Sequence, residues 1–255
     1  MTISTAVVTA PTTRGPAVGL AVQFVLLGTL AATAGLSAAG WLAGAAYAVV
    51  LWFALSSGLQ AAGMRALGPA NRVTLGRASL VAGVTALVVT SIERPVPTAV
   101  LVTLVGVALA LDGVDGQVAR RTGSMSKLGG RFDMEVDAFL ILVLSVYVAG
   151  TFGWWTVAIG AYRYAFVAAS WALPWLTAPL PPRFSPKVVA AVQGVVLVVA
   201  TAHLVPPPVA LVGLVAALGS LTWSFGRDVG WLWRAELVRR AAAPMPALPC
   251  LAPVS

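Results

Sequence analysis

The sequence predicts an all-α fold, a polytopic membrane helix bundle, and three observations carry that prediction. Hydrophobic residues make up 59% of the 255 positions and charged residues only 9%, whereas a soluble domain uses roughly 25% charged residues to hydrate its surface. The apolar residues come in runs of about 20, the length that crosses a hydrocarbon core as a helix. Proline and basic residues fall mostly between those runs.

Taken in order, residues 17–36 carry no charge, and 41–60 form a second span with Trp41 and Trp52 near its ends. Gly19, Gly28 and Gly35 are suited to close packing within this first pair. A turn-rich stretch around Arg65, Gly68, Pro69, Asn71 and Arg72 leads to a third span at about 73–92. Arg77 lies near its start, close enough to snorkel to the interface. Glu93, Arg94 and Pro95 make a tight connection to a fourth span at about 96–119, whose last two turns become polar from Asp112. A fifth helix is expected from Gly130 to about residue 150, where Gly150 and Gly153 mark a turn. The sixth, at about 154–176, contains Arg163. Pro181, Pro182 and Pro186 frame a loop with Arg183 and Lys187 before a seventh helix at about 187–203. Pro206, Pro207 and Pro208 separate it from an eighth at about 209–226. Residues 1–16 and 241–255, rich in Pro, Ala and Thr, are expected to be disordered, with 229–255 a cytoplasmic tail.

Eight spans put both termini on one side and gather every basic residue there except Arg94 and Arg163. The positive-inside rule makes that side cytoplasmic, and the membrane is expected to be a plasma membrane of the bacterial type. A six-span arrangement, with the first two helices absent or re-entrant, keeps the same orientation. The pI near 10.8 is then a record of topology. No basic run exceeds two residues, so nucleic-acid binding is not expected. One cysteine, Cys250, allows no intrachain disulfide, and one histidine, His203, excludes His-rich zinc chemistry. The tryptophans fit an interfacial belt.

The acids are the chemical signal. Five of the eight, Asp112, Asp115, Asp133, Glu135 and Asp137, crowd into residues 112–137. Asp112 and Asp115 are three apart and Asp133 and Asp137 four apart, so on helices each pair shares a face. Glu135 points the other way, within reach of water or Arg131. The short loop between the two helices makes them antiparallel neighbours, and the four aspartates then converge. Each ionised Asp in a span costs about 2.5–3.5 kcal/mol, and four would repel one another. Cations must offset both effects. An all-oxygen set suits Mg²⁺, Mn²⁺ or Ca²⁺, and a pair of divalent ions would neutralise it and could clamp a phosphoryl group. Gly116 and Ala119 leave room beside the acids for a phosphate-bearing ligand, and Arg120 can pair with its phosphates.

The run Asp112-x2-Asp115-Gly116-x2-Ala119-Arg120-x8-Gly129-x3-Asp133-x3-Asp137 resembles, at all eight fixed positions, the signature of the CDP-alcohol phosphotransferases. Upstream, Pro69-Ala70-Asn71-x2-Thr74-x2-Arg77 is similar to the stretch that opens the first core helix in many members. The resemblance implies a six-helix catalytic core at 67–228, with 17–66 as two additional transmembrane helices. It implies transfer of a phosphatidyl or similar phospho-alcohol group from a CDP-alcohol, CDP-diacylglycerol foremost, to an acceptor hydroxyl in phospholipid biosynthesis, with release of CMP. By motif position Asp112, Asp115 and Asp133 would bind two divalent cations, Mg²⁺ or Mn²⁺. Asp137 would join the metal site or act as general base on the acceptor. Gly116, Ala119, Arg120 and Gly129 would cradle the CDP moiety, with Asn71 and Thr74 touching the nucleotide. A homodimer among membrane lipids is also implied.

For the acceptor, Lys187-x5-Gln193 is similar to the Gly-Lys-x-Lys-Thr-x-x-Gln stretch of glycerophosphate-using members, but Pro186, Val189 and Ala190 depart from it. Arg131, Arg163, Arg183 and Lys187 are the candidates for binding an anionic acceptor; a neutral alcohol remains open. Two rival readings are a cation transporter and a catalytically silent relative. An ion path predicts acids at several depths, and these sit at one end of two helices. The intact motif argues against a silent relative.

Overall fold

Local chemistry sets the helix ends. Ser37 and Ser126 each accept a hydrogen bond from the backbone N–H three residues on, at Gly40 (3.1 Å) and Gly129 (3.0 Å), capping two helices. Pro69 and Pro207 open two others, where the missing N–H has no intrahelical partner to lose. At Gly153 the chain turns with φ +98°, a conformation only glycine adopts without strain.

The computed structural model describes residues 14–64, 68–122, 126–180 and 185–242. These form α1 (Arg14–Thr33), α2 (Ala38–Ala61), α3 (Pro69–Glu93), α4 (Thr98–Thr122), α5 (Lys127–Phe152), α6 (Val157–Ala172), α7 (Ser185–Thr201) and α8 (Pro207–Ala242). Short 3-10 turns at Trp154–Thr156 and Pro174–Thr177 flank α6, and no strand occurs among the described residues. Six helices are long and apolar enough to cross a membrane, so the protein is a multi-pass membrane bundle. The exceptions are α6 and α7, at 16 and 17 residues.

The bundle is organised around α3, which packs against α1, α2, α4 and α5. Ala78, Val81, Ala82, Val84, Ala86 and Leu87 of α3 are fully buried, as expected of a helix apolar on all sides. From α5 the packing continues to α6 and α7, and α7 lies against α8. The two additional helices are thus seated on the central helix.

Several expectations need correction. The two acid-bearing helices, α4 and α5, were expected to be direct neighbours; among the described residues they make little contact, and α3 packs extensively on both. The fifth helix starts at Lys127, because Ser126 rather than the glycine pair supplies its cap. Residues 14–16 are helical, and the remaining N-terminal residues, like 243–255, lie outside the described set. The eighth helix continues far past residue 226. At 36 residues it is about 54 Å long, well over the roughly 30 Å of a hydrocarbon core. No proline falls between residues 227 and 242, the first being Pro244: Glu236 pairs with Arg239 and Arg240, both at 2.8 Å, and Trp233 packs edge-on against Trp175.

None of the three glycines expected to bring the first two helices together does so: Gly19 approaches Leu75 of α3, Gly28 faces open space and Gly35 lies between the helices with φ +67°. The tightest approaches are elsewhere. A Cβ on Gly40 would strike Thr90 Oγ1 and the Ala86 carbonyl of α3, and one on Gly160 would strike the Leu142 backbone of α5. Backbone cannot yield as a side-chain tip can. Gly160→Val is therefore expected to destabilise the bundle by about 1–3 kcal/mol, the range for overpacking, read as a lowered thermal midpoint in detergent. Gly28→Ala should cause no loss, and equal behaviour of the two variants would refute this packing argument.

Candidate active site

Three helix segments meet at one end of the bundle. On α3, Asn71, Thr74 and Arg77 recur every three residues and share one face. Asn71 and Thr74 are buried, and the Thr74 hydroxyl donates to the Ala70 carbonyl (3.2 Å). A side chain at position 129 would collide with Asn71 Oδ1, so Gly129 lets the first turn of α5 close on α3. The next turns of α5 then present Asp133 and Asp137, and α4 presents Asp112.

Arg77 stands at the centre. Its Nη1 donates to Asp112 Oδ1, and its Nη2 donates to Asp133 Oδ1 (2.5 Å) and the Asp133 carbonyl (3.3 Å). Asp137 Oδ1 lies 3.0 Å from the same Nη2. The arginine is 1% exposed, while the three acids are 44%, 38% and 42% exposed. A buried guanidinium therefore forms the floor of a carboxylate cluster that opens to the outside. Its planar fork suits this task, reaching two helices at once.

One oxygen from each of Asp112, Asp133 and Asp137 can be chosen so that all three lie within 4.8 Å of one another. Clustered hard oxygen donors fit a divalent cation of the Mg²⁺ or Mn²⁺ kind, and this trio could hold one. Arg77 supplies one positive charge to the set, so fewer cationic charges are needed than for bare carboxylates.

The other expected site residues divide into groups. Gly116 is on α4, partly exposed, a turn beyond Asp112. Asp115, Ala119 and Arg120 are also on α4 and Lys187 is on α7, but their side chains are outside the described set, as is Arg183 altogether. The structure does not bring Arg131 and Arg163 to the acid cluster through any described contact. Arg163 Nη2 instead pairs with Glu135 Oε1, and its Nη1 donates to Met134 Sδ (3.2 Å). Glu135 does face away from the cluster, as expected, but its partner is Arg163 of α6 rather than Arg131. Arg77 was expected to snorkel to the interface, and its ion pairs with the acids were not foreseen. One signal was available: a cation inside an apolar helix requires a counter-charge, and the acids were concentrated in one place.

A family model described as CDP-alcohol phosphatidyltransferase matches residues 67–225. That stretch holds all of α3 to α7 and the first half of α8, and leaves α1 and α2 outside. Searches of curated proteins and of solved structures return no match.

Proposed function

Because the chain belongs to the CDP-alcohol phosphatidyltransferase family, we propose that it takes CDP-diacylglycerol as donor, transfers the phosphatidyl group to an acceptor hydroxyl and releases CMP. The observation that carries this reading is the convergence of Asp112, Asp133 and Asp137 on the Arg77 guanidinium at an open end of the bundle. Acids spread through the membrane depth would instead have favoured an ion path.

In the proposed reaction the acceptor oxygen bonds to the phosphorus that bears the lipid alcohol. The bond from that phosphorus to the CMP oxygen breaks, and its electron pair leaves with CMP. Asp112, Asp115, Asp133 and Asp137 would hold two divalent cations, Mg²⁺ or Mn²⁺, which when bound supply charge stabilisation to the phosphate oxygens. Asp137 takes the proton of the acceptor hydroxyl. Arg77 holds the carboxylates of two helices in register from below. Asn71, Thr74, Gly116, Ala119, Arg120 and Gly129 form the nucleotide side. Arg183 and Lys187 stand as the cations toward an anionic acceptor, and Arg163 is assigned instead to its pair with Glu135. The site and both termini face the cytoplasm of a bacterial-type plasma membrane on the positive-inside argument, and the enzyme works as a homodimer.

The test is direct. Purified protein is incubated with Mg²⁺ or Mn²⁺, CDP-diacylglycerol and a panel of acceptors: an inositol phosphate, glycerol 3-phosphate and neutral alcohols. CMP should appear in step with a lipid product whose mass identifies the acceptor. Absence of CMP with every CDP-alcohol tried would sink the proposal.

A further inference from the structure

A cleft of about 280 Å³ separates α2 from α5 and α6. Tyr47, Leu51 and Ala54 of α2 line one wall at helical spacing, and Phe132, Val136 and Phe139 of α5 line the other. It is closed at both ends: Tyr47 stacks on Phe139 with ring centroids 4.8 Å apart, and a Cβ on Gly58 would approach Leu128 to 2.7 Å. Between those points α2 and α5 make little direct contact. Val50 on the rim is 66% exposed, so the cleft opens sideways into the lipid. It is also separate from the acid cluster. At about 100° per residue, Arg131, Glu135 and Phe139 project from one face of α5, and Asp133 and Asp137 project from the other. A molecule held in the cleft therefore does not reach the carboxylates.

Depth and charge identify the occupant. Helix α5 starts at Lys127, so Arg131 lies one turn inside the end of the bundle that carries the acids, and Phe139 lies about 12 Å deeper. The trough thus runs inward from a cation near the membrane interface. Glu135 is neutralised by Arg163, whereas Arg131 has no ion pair among the described residues. One uncompensated positive charge is left at the mouth of an apolar slot. Water finds few partners along such walls. A helix with its side chains is about 10 Å across, too wide for a slot of this volume. A phospholipid standing in the leaflet matches both features, with its anionic head at Arg131 and one acyl chain running inward between α2 and α5.

We propose that this cleft is a lipid site distinct from the acid cluster: it holds an anionic phospholipid that is not turned over and that seats α2, a helix outside the family match, on the family core. The test needs no turnover. Phosphatidylglycerol and phosphatidylcholine, each with a diazirine in one acyl chain, are reconstituted separately with the full chain in the absence of any CDP-alcohol. The samples are illuminated and the labelled peptides mapped. Phosphatidylglycerol is expected to label residues 47–55 and 128–139 about fivefold more than phosphatidylcholine, the scale set by one cation near an anionic surface. Arg131→Gln should abolish that preference. Ala54→Trp, which fills the slot from an exposed position, should remove most of the label. Val107→Trp, at an exposed position of α4, should leave it unchanged. In delipidated protein, phosphatidylglycerol should raise the thermal midpoint of wild type more than that of Ala54→Trp, and inorganic phosphate should not raise it. Equal labelling by the two lipids, label indifferent to Ala54→Trp, or equal midpoint shifts in the two proteins overturns the proposal. A disulfide-linked dimer formed by Ala54→Cys in a Cys250→Ser background would put a second copy in the cleft and also overturn it. Because the cleft lies away from the acids, a wild-type protein that releases no CMP but labels as expected would lose the transferase reading and keep this site.

Discussion

Asp137→Asn is expected to cut CMP release about a thousandfold and to leave the bundle folded. The side chain lies at the open end of the cluster, 42% exposed, and its pairing with Arg77 at 3.0 Å is one of three acid contacts that the guanidinium makes. Losing one charge leaves Arg77 paired with Asp112 and Asp133, and asparagine keeps the size and shape of the side chain. The structural cost is accordingly small, about 1 kcal/mol or less for a solvent-exposed member of an ion-pair network. The chemical cost is large, because an amide can neither accept the acceptor proton nor bind a cation with charge. General-base loss alone is worth about 10²–10⁴-fold. CMP release should fall by about a thousandfold, with helical circular dichroism and thermal midpoint close to wild type. Wild-type turnover in this variant would remove Asp137 from the reaction, and unfolding would assign it a structural role.

The sequence made some of this site legible and concealed the rest for physical reasons. Spacing placed Asp133 and Asp137 on one face of a helix, and a helical period is the same in any surroundings. Asp112, Asp133 and Asp137 do come together, three of the four aspartates expected to converge, but by packing on α3 rather than by a direct pairing of α4 with α5. Spacing could not reveal that α3 lies against both acid-bearing helices. Contacts such as Arg77 to Asp133 or Arg163 to Glu135 join residues dozens of positions apart, and pairing at that range depends on which helices pack together. Glycine usage misled for a related reason. Gly28 and Gly160 look alike in sequence, yet one faces open space and the other the Leu142 backbone. The length of α8 was missed because a span was ended at the expected membrane thickness, whereas a helix stops only where its residues or contacts stop it. Arg, Leu, Trp and Glu after residue 226 all tolerate helix.

Arg77→Met should destabilise the protein most when metal is withheld. Three carboxylate oxygens within 4.8 Å of one another repel by about 3 kcal/mol per pair at an effective dielectric near 20, less where water screens them. The buried guanidinium offsets that repulsion from the side that water does not reach. Methionine fills similar volume but supplies no charge and no donors. Removing one partner of a fully buried ion pair costs about 3–5 kcal/mol; with the acids partly exposed, about 2 kcal/mol is expected here. Divalent cations can supply the missing charge from the open side. The variant should therefore melt well below wild type in a chelator and recover much of the difference in Mg²⁺ or Mn²⁺. Wild type, with a counter-charge in place, should respond less. Arg77→Lys should fall between the two, since a single ammonium neutralises charge but cannot reach Asp112 and Asp133 with a rigid fork. If Arg77→Met is as stable as wild type in chelator, the arginine is not what holds the acids together. If it is unstable but indifferent to metal, the acids do not form a cation site.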